Sequence, residues 1–185
     1  SGAIWQNRIE AFRLSYRVIA PDLCGSGNLG VQTGPTTMDQ YAADVHHLLQ
    51  HLSTGPVVLI GHSMGGYVAL AFAREFSNML CGLVLVSTKA GNDSPEVAAE
   101  RRMTAEKVKV EGLQGMVEAM VPKMLKEGNQ NPHILEQVRG LMVSSKPAWV
   151  IGALLGMAER HKQDVGARRA DGAREGGLRP AADLL

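Results

Sequence analysis

The chain has 185 residues, 45% apolar and 20% charged, enough to bury the core of one ordinary domain. A net charge of +1 gives no electrostatic case for nucleic acid or an anionic membrane as a partner. Two distant cysteines, Cys24 and Cys81, sit in neither a metal nor a redox spacing, so a reducing, cytoplasmic setting is expected.

Ile4, Trp5, Ile9, Phe12 and Leu14 suggest a short amphipathic helix at the start. Tyr16-Arg17-Val18-Ile19-Ala20 reads as a strand stopped by Pro21-Asp22, and Gly25-Ser26-Gly27-Asn28-Leu29-Gly30 as a turn-rich loop. A helix then opens at Thr37, with Gln40 three residues on in the capping-box pattern. Its stripe is Tyr41, Val45, Leu48, Leu49 and Leu52. Val57-Val58-Leu59-Ile60 reads as a fully buried strand, and Gly82-Leu83-Val84-Leu85-Val86-Ser87 as another. Between them a helical stripe runs through Val68, Ala69, Phe72, Ala73 and Phe76. Strands alternating with helices predict an α/β fold whose parallel sheet is covered on both faces, with residues 16–20, 57–60 and 82–87 as neighbours.

The most informative segment is Gly61-His62-Ser63-Met64-Gly65-Gly66, which joins the strand directly to the helix. Gly-x-Ser-x-Gly in this context is the pattern of a nucleophile elbow. Ser63 is then expected on a strained turn with φ > 0, its hydroxyl lifted clear of the sheet as a catalytic nucleophile. A Cβ at Gly61 or Gly65 is expected to collide with neighbouring backbone. The backbone N–H of Met64, at the helix start, is the candidate oxyanion donor. His62 adjoins the nucleophile in sequence and so points the wrong way to serve as its base.

From about Pro95 the strands give way to helical stripes: Val97/Met103, then Val108/Leu113/Val117/Met120/Val121/Leu125, then Ile134/Leu135/Val138/Leu141/Met142. Six of the nine methionines (Met103, Met116, Met120, Met124, Met142 and Met157) lie here, where unbranched side chains suit either packed helices or an adaptable apolar pocket. The expected organisation is a core with the elbow over residues 1–94, a helical lid over 95–160, and a tail over 161–185. That tail holds five basic and four acidic residues, four glycines and no apolar period, a composition that reads as disordered.

Trp5-Gln6, Val18-Ile19-Ala20-Pro21-Asp22-Leu23 with Gly25 and Gly27, the elbow hexapeptide and Leu83-Val84-Leu85-Val86 follow one another in order. With these motifs the chain resembles the α/β-hydrolase superfamily, nearest to its esterase and 3-oxoadipate enol-lactonase-like branch. Asn131-Pro132 and Ile151-Gly152-Ala153-Leu154 look like that family's helical lid. The resemblance implies Ser63 as nucleophile, the Met64 amide as one oxyanion donor, and a small carboxylic ester or lactone as substrate. No cofactor is implied, because neither a metal-ligand cluster nor a dinucleotide fingerprint is present. Cys24 stands where such proteins usually carry Arg.

The family's His-Gly oxyanion strand would lie upstream of Ser1, and its acid and base after two strands downstream of the lid. Neither is found, and the change of character at Arg160/His161 is abrupt. The expectation is therefore a truncated or frame-shifted product that is inactive as it stands. Asp93 follows a strand, where some α/β hydrolases carry their acid, but a loop or helix-capping role is the simpler reading. His46, His47 and His51 are expected on a helix surface, with His133 in the lid and His161 opening the tail. Two alternatives stay open: a non-catalytic fragment, or an acyltransferase, C–C hydrolase or cofactor-free haloperoxidase built on the same elbow.

Overall fold

The structure, a computed structural model, describes residues 1–27, 30, 34–124 and 131–160. A 3-10 turn at Gly2–Trp5 leads into α1 (Gln6–Phe12). Next come α2 (Met38–His51), β1 (Val57–His62), α3 (Met64–Glu75) and β2 (Leu80–Val86). Four helices complete the described chain: α4 (Pro95–Glu111), α5 (Gln114–Met120), α6 (Pro132–Val143) and α7 (Pro147–Ala158). Local signals set these boundaries. Thr37 and Gln40 close the capping box at α2, with Gln40 N–H donating to Thr37 Oγ1 at 3.2 Å and Thr37 N–H to Gln40 Oε1 at 2.7 Å. Ser94 and Asn131 cap α4 and α6, each followed by a proline at the first helical position.

β1 and β2 pair in parallel, Leu59 against Leu83 and His62 against Val86, with α3 as the crossover between them. The parallel α/β arrangement is as expected, but two of its details are not. Residues 16–20 form no strand: Tyr16 N–H bonds back to Phe12 at the end of α1, and no ladder follows. An apolar run becomes a strand only where a neighbour takes up its backbone groups, and no described residue does so here. Ile19 from this segment still packs on the core. The second departure concerns burial. Val57 and Leu59 face the core made by Tyr41, Leu49, Val68, Ala71 and Phe72, whereas Val58 is 56% exposed and Ile60, Val84, Leu85 and Val86 are 40–43% exposed. α3 covers one face of the sheet, and the described residues leave the other open.

An uncovered apolar sheet face with two open edges favours self-association. The 185-residue chain is accordingly expected to elute from size exclusion as oligomers or aggregate, with light scattering above the monomer mass. A monodisperse monomer with a cooperative thermal transition would contradict this.

The helices after β2 have a core of their own: Val108, Leu113, Val117, Val121 and Val150, flanked by Leu135, Val138, Met142 and Leu154. The expected Val97/Met103 stripe is corrected, because Met103 is 60% exposed and α4 instead turns Ala98, Ala105 and Val108 inward. Small residues let α4 approach α7 closely, which a stripe chosen for large apolar residues overlooks. Met120 and Met124 are also exposed, Met116 and Met142 pack on this second core, and Met157 packs on the first. Leu125 and residues 161–185 lie outside the described residues.

α7 joins the two cores. Gly152 O accepts from Thr36 N–H at 3.1 Å, and a Cβ built on Gly25 would lie 2.7 Å from the Trp149 ring. Among the described residues no single helix is long and apolar enough to cross a membrane; α6 and α7 pass that test only together, with a 91° bend between them.

Candidate active site

Ser63 stands between β1 and α3, beyond the carboxyl ends of both strands, where ligands bind in open parallel sheets. Its backbone has φ 53° and ψ −119°, a left-handed value that costs a residue with a side chain about 1–3 kcal/mol. The residue is exposed, and its hydroxyl has no hydrogen-bond partner among the described residues. α3 begins at Met64, whose N–H likewise meets no acceptor among them.

Segment 86–88 holds the strained residue in place. Ser63 N–H donates to Val86 O at 2.9 Å, which extends the β1–β2 ladder by one residue. Ser63 O accepts from Gly66 N–H at 2.9 Å and from Thr88 Oγ1 at 3.0 Å. The glycines divide their roles differently from the expectation. A Cβ on Gly61 would strike Gly65 O and come within 2.7 Å of Gly66 Cα, while one on Gly65 would meet nothing. The second tight position is Gly66, where a Cβ would lie 2.5 Å from the Thr88 side chain. Gly61→Ala is therefore expected to lower stability by about 3 kcal/mol, because backbone cannot move aside as a side chain can. Gly65→Ala is expected to be neutral or to gain up to about 1 kcal/mol as a helical alanine. Urea titration of both variants checks the contrast, and equal losses would refute it.

The histidines are dispersed. The His62 ring meets Trp5 edge-on, with centroids 6.5 Å apart. His46 stacks on Phe76 at 4.0 Å, His47 and His51 are exposed on α2, and His133 lies 3.1 Å from Gln137. His161 lies outside the described residues.

Asp93 does not cap α4, since Ser94 does. Its side chain is 2% exposed and gathers three cations: Arg101 Nε at 2.6 Å, Lys89 Nζ at 3.0 Å and Arg160 Nη2 at 3.6 Å. Burial works to raise its carboxyl pKa, but the hydrogen bonds and charges of Arg101 and Lys89 outweigh it and hold the group below its ordinary value. Arg160, whose side chain is wholly buried, also donates to Ala90 O and Gly91 O and lies 3.9 Å over the Tyr67 ring of α3. Nothing in the sequence marks Thr88 or Arg160. The one sign of the ion cluster is the spacing of Asp93 to Arg101, about two helical turns.

The family described as the α/β hydrolase fold matches residues 1–173, and the chain belongs to it. An esterase structure from Thermogutta terrifontis is 42% identical with a TM-score of 0.83, over 86% of this chain and 60% of its own. The 3-oxoadipate enol-lactonase 2 of Acinetobacter baylyi is 29% identical over 74% of this chain and 51% of its own length. A soluble epoxide hydrolase from Corynebacterium is 34% identical over 49% of this chain and 34% of its own. The chain thus spans between about a third and three fifths of each of these relatives.

Proposed function

We propose that this chain carries the nucleophile and one oxyanion donor of a serine hydrolase acting on a small carboxylic ester or lactone. The observation that carries the reading is the left-handed backbone of Ser63 at the carboxyl end of a parallel strand, with an unbonded Met64 N–H beside it. The names of the esterase and lactonase relatives support the substrate class. Ser63 Oγ attacks the carbonyl carbon and passes its proton to a general base. The tetrahedral oxyanion is held by Met64 N–H. On its collapse the C–O bond to the alcohol oxygen breaks, and that oxygen takes the proton back from the base (leaving as the alcohol from an ester, staying on the acyl chain from a lactone). Water then hydrolyses the acyl-enzyme. α4 to α7 form the lid over this site.

Acetylation by p-nitrophenyl acetate, with imidazole supplied in solution as the base, tests the reading. Peptide mass spectrometry is expected to find acetate on Ser63 ahead of every other serine, and none at this position in Ser63→Ala. The unpartnered Ser63 hydroxyl favours one competitor, a non-catalytic fold that binds ligand without reacting. Acetylation spread over surface serines and lysines would support that competitor and overturn the proposal.

A further inference from the structure

We propose that Thr88 is a positioning residue that aims the Met64 N–H by gripping the carbonyl on the other side of the same peptide unit. The inference deepens the reading of Met64 as an oxyanion donor and depends on it. A trans peptide is a rigid plane in which C=O and N–H point in opposite directions. Fixing Ser63 C=O therefore fixes the direction of Met64 N–H. Two donors fix that carbonyl: Gly66 N–H from within α3 at 2.9 Å, and the Thr88 hydroxyl at 3.0 Å. The first moves with the helix, whereas the second comes from just beyond the carboxyl end of β2 and ties the plane to that strand.

Three further observations converge on the contact. Val86, two residues before Thr88, holds Ser63 N–H, so both polar backbone groups of Ser63 are held by one short segment. Ser87 between them has φ 48°, itself left-handed, and this turn brings Thr88 back under the elbow. Gly66 makes room for it, since the space a Cβ would take there is filled by Cβ, Oγ1 and Cγ2 of Thr88. Ser63 and Ser87, two of the three non-glycine residues with positive φ among those described, thus lie on facing segments joined by the bonds of Ser63 to Val86 O and to the Thr88 hydroxyl. A donor held in this way needs no reorganisation when charge develops on the substrate oxygen.

Three variants test the proposal: Thr88→Val, which keeps the shape but loses the donor; Thr88→Ser, which keeps the donor; and Thr88→Ala, in case the added methyl of Val prevents folding. Amide hydrogen exchange at Gly66, which shares the carbonyl, is expected to quicken on the order of tenfold in the Val and Ala variants, the factor for one lost hydrogen bond. The Met64 amide resonance is expected to shift in the same two variants, and both readouts are expected to return to the parent values in Thr88→Ser. Imidazole-assisted acetylation of Ser63 is expected to fall at least tenfold in Thr88→Val at a temperature where it remains folded. An unchanged Gly66 exchange rate and Met64 resonance in Thr88→Val, or a Thr88→Ser that behaves like Thr88→Val, would overturn the proposal. Because the two NMR readouts involve no turnover, they judge the positioning role separately from whether Ser63 is acylated at all.

Discussion

The 185-residue chain is expected to hydrolyse p-nitrophenyl acetate at close to the uncatalysed rate, and Ser63→Ala is expected to change that rate little. A serine hydroxyl without a base stays protonated at neutral pH and is a weak nucleophile. In another serine hydrolase, loss of the base costs on the order of 10⁶-fold in kcat. No histidine among the described residues is bonded to Ser63: His62 is turned to Trp5, His46 to Phe76 and His133 to Gln137. A fluorophosphonate probe, which reports an activated serine, is accordingly expected to label the chain poorly. Strong labelling that disappears in Ser63→Ala would mean that a base does reach the site. Single replacements of His133 and His161 by Ala would then locate it.

Asp93→Asn is expected to destabilise the fold by about 3–5 kcal/mol at neutral pH, because Arg160 and Arg101 would then be left without their buried counter-charge. Arg160→Met is expected to cost a similar amount, since it strips Ala90 O and Gly91 O of their donor as well as uncovering Asp93. The pH dependence has a definite sign. The folded state holds the Asp93 carboxyl below its ordinary value, so the unfolded chain binds the proton more tightly. This contribution to stability is fully present above the ordinary carboxyl range and is lost as pH falls through the lower folded value. Urea titrations of parent and Asp93→Asn should therefore differ most near pH 7 and converge as acid is added. A difference under about 1 kcal/mol at neutral pH would show that the cluster leaves stability unaffected.

The elements legible in the sequence are those fixed by neighbours along the chain. The Thr37/Gln40 capping box, the strand–turn–helix at 57–76 and the apolar strand expected over 82–87 are local patterns. The first two appear where expected, and the last runs two residues earlier at its start and stops one short, at Leu80–Val86. Misreadings occur where a distant partner decides the outcome. Residues 16–20 carry strand-forming side chains but find no ladder among the described residues, and Val58 and Ile60 carry core-forming side chains but stay 56% and 40% exposed. Gly65 belongs to the motif by spacing, yet the steric restriction falls on Gly61, against the backbone of Gly65 and Gly66, and on Gly66, against the side chain of Thr88 beyond the end of β2. The Asp93 cluster draws its cations from Lys89, Arg101 and Arg160, and no local rule links Arg160 to a carboxylate 67 positions away (160 − 93).

The contact of α7 with residues 34–36 limits how the helical half can shift against the segment before α2. Gly152 lies against Gly34 O and Gly156 against Thr36 O, with backbone meeting backbone and no side chain between them to flex. α7 therefore works as a fixed rail. Any movement within the helical half would fall to α5 and α6, which share no such backbone seat, rather than to α7.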